Sequence, residues 1–249
     1  MDAGPERESA EPTTEPGIPE PPWLKPPRTT RHRTPLSRDV IVDAALRLLD
    51  RDGASGLSMR RLADELGSGA GAIYWHVANK EQLIQLMFDR VIGELPLPEV
   101  DPSRWQEQIK QAARDARDAM TDHPGLAELS FGRIPLGPNA VRYFEWHLSV
   151  LRAGGLPDRV VALAGDLIHL YVDSFSFEEC VGISTPSGEE SSVADFIGQL
   201  REYFASLPVD RFPNITELAD ELTTGGSDVR FEFGLDILVA GLAAHAQKR

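Results

Sequence analysis

Apolar residues recur at helical spacing along most of the chain after residue 37. The first stripe holds six of them: Val40, Ile41, Ala44, Ala45, Leu48 and Leu49. This period predicts an amphipathic helix. Ser37 is suited to cap its start, Asp39 lies favourably in its first turn, and Gly53 is placed to end it.

The next segment predicts two short helices joined by a glycine turn. Ser58 can cap a helix whose apolar residues continue through Leu66, and Gly67 predicts the turn. A second short helix is predicted from about Gly69 to Val77. This is the pattern of a helix-turn-helix, whose second helix enters the major groove of DNA.

A longer fourth helix is predicted to follow. Asn79 with Gln82 three residues later resembles a capping box, and the helix should run to about Leu95, before Pro96. Beyond residue 103 the chain shows helical periodicity and no strand pattern, so the predicted fold class is all-α. The segments 182–192 and 207–228 are predicted loops, with a possible short helix at 215–222.

Two late helices, at about 157–180 and 229–247, are apolar around most of their circumference. Such helices must be buried on most faces, which predicts a homodimer built as a four-helix bundle. Residues four apart mark the expected dimer faces: Tyr171, Phe175, Leu238 and Leu242.

The segment 1–36 differs from the rest. It holds nine prolines and almost no aliphatic residues, which predicts disorder. We therefore expect three regions: a proline-rich arm at 1–36, a DNA-binding domain at 37–83, and a ligand-binding and dimerisation domain at 84–249. The arm ends in five basic residues that form either a solvated linker or an extension along DNA: Lys25, Arg28, Arg31, His32 and Arg33.

The charge distribution supports a DNA-binding region. The chain carries a net charge of −14, but residues 25–90 have eleven basic and eight acidic side chains. Local charge governs DNA binding, and an acidic remainder discourages indiscriminate adhesion. With one cysteine, no signal-peptide pattern and no run of about 18 apolar residues, we expect a cytoplasmic protein without a membrane segment.

The segment Gly67-Ser-Gly-Ala-Gly resembles a dinucleotide-binding loop, but that motif requires a preceding strand, whereas a helix is predicted to precede it here. Small side chains instead allow the backbone to approach DNA, and the aromatic, histidine and basic residues are suited to phosphates or base edges. The predicted DNA-binding set is Ser58, Arg60, Arg61, Gly69, Ala70, Gly71, Ala72, Tyr74, Trp75, His76 and Lys80.

Residues 37–95 resemble the DNA-binding domain of the TetR family of bacterial repressors, and IYWHVANKEQL is similar to its tetracycline-repressor branch. The remainder, with RFEFGLDILVAGL, resembles that branch more weakly. The resemblance implies a dimer that reads a palindromic operator, with a pocket for an apolar or aromatic inducer. An ungapped alignment places Pro96, Ala112, Ala116 and Ser130 at tetracycline- or magnesium-contacting positions, so we expect no metal–tetracycline chelate.

Candidate ligand contacts in the second domain are chosen by residue type and helical position, although residues of these types are more often plain core than ligand contacts. They are Trp105, Met120, Phe131, Phe144, Trp146, His147, His169 and Asp173. His169 and Asp173 are four residues apart and therefore share a helix face. They are interpreted as a satisfied buried pair, as a polar contact in the dimer interface, or as a polar anchor for a ligand. His169 and Cys180 lack further ligands at metal-binding spacing, so no metal or cofactor is expected.

These observations predict a ligand-responsive, homodimeric transcriptional repressor that an inducer releases from DNA. An activator or an inducer-independent regulator with the same fold is the nearest alternative. An enzyme acting on a small molecule is a more distant one, because the sequence offers no nucleophile, base and orienting group in a recognisable set.

Overall fold

The computed structural model describes residues 36–181 and 193–246, and within these ranges all regular structure is helical. The first seven helices are α1 Arg38–Gly56, α2 Met59–Glu65, α3 Ala70–Tyr74, α4 Lys80–Gly93, α5 Trp105–Asp122, α6 Pro124–Ser130 and α7 Pro138–Ala153. The others are α8 Asp158–Val181, α9 Val193–Ala205, α10 Pro213–Glu217, α11 Ala219–Thr223 and α12 Gly226–Ala243. The all-α prediction is confirmed.

Three predicted helix caps are present. The Ser37 Oγ accepts a hydrogen bond from the Val40 amide at 3.2 Å, and the Ser58 Oγ accepts one from the Arg61 amide at 3.2 Å. Asn79 Oδ1 accepts from the Gln82 amide at 2.8 Å, and Gln82 Oε1 in turn accepts from the Ala78 amide at 2.6 Å. These bonds satisfy amides that a helix start otherwise leaves without partners.

Two glycines break the helices where the sequence predicts. Gly53 has a φ of 71° and kinks α1 before its last short turn, and Gly67 has a φ of 57° in the turn after α2. Side chains other than glycine rarely adopt such angles. Local backbone chemistry therefore sets both boundaries.

Several boundaries differ from the predictions. The helix expected at 69–77 ends as α3 at Tyr74, and a turn carries the chain on to the buried Val77. Within the predicted loop at 207–228, the short helix expected at 215–222 is present as two helices, α10 and α11, whereas α6 was not predicted. Both α6 and α10 begin with proline, which is favoured in the first helical turn. The predicted arm and the loop at 182–192 lie almost wholly outside the described residues.

The helix α8 organises the second half of the fold. It packs against α5, α6, α7 and α12, while α6 also packs against α1 and α4. By length and composition alone α8 could cross a membrane, which the sequence reading had not anticipated. Its packing is that of a helix within a helical body, with Val161, Ile168 and Val172 buried.

Ion pairs fasten α12 to its neighbours. Arg114 on α5 binds Glu232 at 2.7 Å, and Arg117 binds Glu179 on α8 and Asp228 on α12. These bonds hold the pKa of both guanidinium groups above the usual range and that of the Glu179 carboxyl below it. The half-buried Arg117 also lies over the Phe231 ring, so this corner is firmly joined.

Candidate functional site

Large aromatic side chains point to solvent at the end of α3. Trp75 is 90% exposed and Tyr74 is 50% exposed, whereas Ile73 and Val77 on the opposite side are fully buried. A folded protein gains little by exposing a tryptophan, so such a residue indicates a contact surface. The structure thus separates the packing face of α3 from a face free to meet a partner.

Two glycines on the same surface have no structural need to be glycine. A Cβ atom built at Gly69 or Gly71 meets nothing within 4 Å, and neither residue has a positive φ. The absence of side chains leaves the backbone of the first turn of α3 open to close approach. That property is suited to docking against nucleic acid.

The predicted cations divide into two groups. Arg60 is exposed, Lys80 is half-buried, and neither side chain has a hydrogen-bond or ion-pair partner among the described residues. Arg61 instead binds Asp52 at 2.5 Å and the Gly56 carbonyl at 3.0 Å. The structure therefore engages Arg61 in bracing α2 against α1, a role that the sequence pattern did not indicate.

The remaining members of the predicted DNA-binding set surround this surface. Ala72 is exposed and His76 is half-buried, while the Ser58 hydroxyl is used in capping α2. The backbone of Ala70 opens α3, and its side chain lies outside the described part. The exposed side of α2, α3 and the start of α4 thus carries basic and aromatic residues together.

An open groove lies beside the segment that follows α4. It has a volume of about 870 Å³, and its lining includes Pro96, Ala112, Trp146 and four carboxylates, those of Glu99, Asp101, Glu107 and Asp115. The Trp146 Nε1 donates to the Pro98 carbonyl at 2.7 Å, and Gln108 binds both Glu99 and Asp101 through their backbones. We name this feature the outer groove.

A second, smaller space lies inside the body, and we name it the inner cavity. Its lining residues come from α5, α6, the following turn and α8: Met120, Ala127, Ser130, Phe131, Asp173 and Ser176. Its volume is about 10 Å³, close to that of one water molecule. Ser176 is completely buried and its hydroxyl has no hydrogen-bond partner among the described residues.

An aromatic cluster lies on α7 and α8. The rings of His147 and His169 have centroids 5.0 Å apart, and Tyr143 packs against both. Each histidine donates from Nδ1 to the carbonyl one turn earlier, at 3.0 Å for His147 and 2.6 Å for His169. Burial lowers the pKa of His147 to about 3 and also lowers that of His169, so both rings are neutral near pH 7.

The Tyr143 hydroxyl interacts electrostatically with one carboxylate of the outer groove and one of the inner cavity. Burial raises the pKa of its hydroxyl, and the charges of Asp115 in the outer groove and Asp173 in the inner cavity raise it further. The hydroxyl donates to the Ala112 carbonyl at 3.0 Å. Sequence reasoning missed Tyr143 and Ser176, because each is unremarkable in its helix until α7 and α8 are packed together.

The eight predicted ligand residues are therefore distributed among separate places. Met120, Phe131 and Asp173 line the inner cavity, and Trp146 lines the outer groove. The second group is the aromatic cluster, with Phe144, His147 and His169. Trp105 is buried under Gly154, in the core.

The contacts between the α6–α7 region and the helices α1 and α4 include three bonds made by side chains. His123 binds Asp50 of α1 at 2.8 Å, and Arg133 forms an ion pair with Glu81 of α4. The third is the buried Asp89 of α4, which accepts from the Ala140 amide at 2.9 Å. Displacement of α6 or α7 would thus act directly on α1 and α4.

The exposed apolar faces of α8 and α12 differ from those predicted. Leu242 is buried within the protomer, Leu238 is half-buried, and Tyr171 and Phe175 pack against Phe231. The exposed apolar residues are Leu163, Leu167 and Leu170 on α8, and Val229, Phe233 and Ile237 on α12. Any partner on these helices would meet this set, which corrects the choice of Leu242.

A helix-turn-helix with a projecting aromatic surface, joined to a helical body that carries an open groove and a small inner cavity, is the architecture of a DNA-binding transcriptional regulator. Residues 41–87 match the family described as bacterial regulatory proteins, tetR family, and residues 97–246 match the tetracyclin repressor-like C-terminal domain. The chain belongs to the TetR family of transcriptional regulators.

Relatives and solved structures agree with this assignment. An HTH-type transcriptional regulator of Saccharopolyspora erythraea is 35% identical over 94% of this chain and 96% of its own. The HTH-type transcriptional repressor DrrR1 of Streptomyces coeruleorubidus is 30% identical over 91% and 85%. The crystal structure of ActR of Streptomyces coelicolor in complex with actinorhodin is 41% identical, with a TM-score of 0.79 over 86% of this chain and 99% of ActR.

Proposed function

We propose that this protein is a homodimeric, ligand-responsive repressor that binds a palindromic operator and is released by a small, largely apolar molecule. The observation that carries the proposal is the α3 surface, where Tyr74 and Trp75 project beside an unobstructed Gly69–Gly71 backbone. Arg60 and Lys80 supply charge to the same surface. A transcriptional regulator rather than an enzyme is the role that the named relatives support.

A ligand in the helical body can act on DNA binding through the contacts of α6 and α7. An occupant that displaces α6 strains the His123–Asp50 contact with α1, and one that displaces α7 strains Asp89 on α4. Either movement changes the separation of two recognition helices, which must match about 34–36 Å between successive major grooves. The coupling is reciprocal, so operator binding weakens ligand binding by the same factor.

Dimerisation is proposed through the exposed apolar residues of α8 and α12. A leucine stripe and a stripe containing Phe233 and Ile237 are costly to leave in water. A two-fold axis that pairs α8 and α12 with their copies would bury both stripes in a four-helix bundle. The bound ligand of ActR supports a small-molecule site in the body, and a cytoplasmic location follows from a role on DNA.

Operator binding tests the proposal. A palindrome near the protein's own gene should be shifted in a gel, with a dissociation constant that rises by about 10³ or more between 50 and 200 mM salt. Lys80→Ala should weaken binding to operator and to unrelated DNA alike, since phosphate contacts position the protein. Arg60→Ala should instead relax preference at one base pair, at a cost of about 1–3 kcal/mol.

A matched exchange controls for charge alone. Arg152→Ala removes an exposed cation that lies far from α3 in the sequence and pairs with Asp158. This exchange should leave operator affinity unchanged. Affinity that is independent of salt, or equal losses from Arg152→Ala and Lys80→Ala, would contradict the proposed surface.

A further inference from the structure

The inner cavity contains a carboxylate without a counter-charge. Asp173 has no hydrogen-bond or ion-pair partner among the described residues, and burial raises the pKa of its carboxyl to about 6. The carboxylate is therefore ionised near pH 7.5 although much of it is removed from water. An ionised group in such a place is costly unless something pairs with it.

The surroundings of Asp173 supply no cation. The described residues that line the cavity with it are Met120, Ala127, Ser130, Phe131 and Ser176, and none is basic. The nearby His169 is neutral, since burial lowers its pKa, and Asp115 adds further negative charge across Tyr143. The electrostatic potential at this site favours a positive group.

A second polar group faces the same space. The Ser176 hydroxyl lies one turn after Asp173 on α8, is completely buried, and lacks a partner among the described residues. Buried hydroxyl groups in folded proteins nearly always have a hydrogen-bond partner. Asp173 and Ser176 thus place two oxygen acceptors on the lining of one small cavity, together with Met120 and Ala127.

We infer that the inner cavity recognises a protonated amine on a ring-bearing, otherwise apolar ligand, with Asp173 as its ionic partner and Ser176 as a second acceptor. This inference rests on the proposed function, because it names the ligand class of the regulatory site. A neutral hydroxyl can also donate to Asp173, but it leaves the buried negative charge uncompensated. An ammonium group offsets that charge and donates to both oxygens.

Phe131 is the side chain that must move to admit such a ligand. A space of about 10 Å³ cannot hold a ring, but Phe131 is 46% exposed and stacks on Phe177 at 4.4 Å between ring centroids. It immediately follows α6 and precedes Gly132, whose φ is 74°. Outward movement of Phe131 enlarges the cavity and displaces the end of α6. That helix packs against α1 and α4.

A matched pair of probes tests the inference. The full-length protein is titrated calorimetrically with 2-(aminomethyl)naphthalene and with 2-(hydroxymethyl)naphthalene, which share one ring system and differ in the cationic group. We expect the amine to bind the wild-type protein about tenfold more tightly or better. Asp173→Asn should remove this preference, and Ser176→Ala should weaken amine binding about threefold.

Asp118→Asn is the control, because it removes an exposed carboxylate from α5, and it should retain the preference for the amine. Equal binding of both probes, no binding of either at millimolar concentration, or an undiminished preference in Asp173→Asn would overturn the inference. Gel shifts with the operator are run on the same variants. The inference would fail while the proposed function stands if the protein bound the operator and was released by some other compound, but showed no preference for the amine that depends on Asp173.

Discussion

The fold does not require glycine at position 71 on the α3 surface. Gly71 lies within a helix, where glycine is less favourable than alanine, and a Cβ atom there would meet open space. The fold alone would therefore be better served by alanine. The proposed close approach of this backbone to DNA offers a physical reason for glycine at this position.

Gly71→Ala should raise the free energy of unfolding by up to about 1 kcal/mol and reduce operator affinity by about tenfold or more. Chemical denaturation and gel shifts measure the two effects. Gly198→Ala on α9 is the matched control, since its Cβ also meets open space, and it should leave DNA binding unchanged. Unchanged operator affinity in Gly71→Ala would place the DNA elsewhere.

His147 gives the protein a defined sensitivity to acid. Its pKa of about 3 in the folded state lies below the ordinary 6.5, so the folded state binds fewer protons than the unfolded state between these values. Unfolding then takes up a proton, and the free energy of unfolding falls as the pH falls below about 6.5, by up to about 1.4 kcal/mol per pH unit.

The variant His147→Asn should flatten this dependence, because asparagine can keep a donor to the Tyr143 carbonyl but does not titrate. Urea unfolding between about pH 7.5 and 5 measures it. Protonation of Asp173, whose pKa is raised to about 6, increases the free energy of unfolding as the pH falls, whereas His169, whose pKa is lowered, decreases it. The effect of His147 is therefore the difference between the profiles of wild type and variant. The exposed His245→Asn is the control. Parallel profiles for wild type and His147→Asn would show that this histidine is not the group responsible.

At the scale of elements, α4 is joined to α7 by a cap taken from another helix. Gly137 has no side chain to cap α7, and the buried Asp89 carboxylate accepts from the Ala140 amide instead. Asn139 Nδ2 adds a bond to Asp89 at 3.2 Å, and a Cβ atom at Gly137 would collide with the Asp89 side chain. The helix that follows the helix-turn-helix is thereby attached to the first turn of α7.

Asp89→Ala should lower the free energy of unfolding by about 1–3 kcal/mol, since it leaves buried donors without an acceptor. Hydrogen exchange should speed up in the first turn of α7 and along α4. Asp118→Ala, which removes an exposed carboxylate, should change neither quantity. If the Ala140 amide of the Asp89→Ala protein exchanged at the wild-type rate, the Asp89 cap would not stabilise α7.

For the whole molecule, the exposed apolar faces of α8 and α12 make the oligomeric state the main question. Phe233 is 68% exposed in the single chain and lies near the middle of the α12 stripe. A carboxylate forced into an apolar seam has no partner and costs several kcal/mol, so Phe233→Glu should give monomers. Operator affinity should fall steeply with it, because a monomer loses the linked second half-site.

Light scattering of the purified protein measures the oligomeric state, and gel shifts measure the affinity. Ile134→Glu introduces the same charge at a residue that is 76% exposed on the turn before α7, and it should remain dimeric. A Phe233→Glu protein that is soluble and dimeric at micromolar concentration, or a monomeric wild type, would contradict the proposed seam.

The sequence by itself determined the helical class, the helix-turn-helix and the helix boundaries that depend on local chemistry. Ser37, Ser58 and Asn79 cap helices with their own side chains, and Gly53 and Gly67 turn the chain with their own φ angles. These effects act over a few residues, so they can be read without knowing what lies nearby in space.

Only the tertiary structure decided which faces are buried and which side chains meet. The helix α12 is apolar around most of its circumference, so its period could not distinguish the buried Leu242 from the exposed Phe233. Likewise, Arg61 meets Asp52, Asp89 caps α7, and the groups of the inner cavity come together only after α5, α6 and α8 pack. Such pairings depend on distances between segments far apart in the chain, which periodicity does not encode.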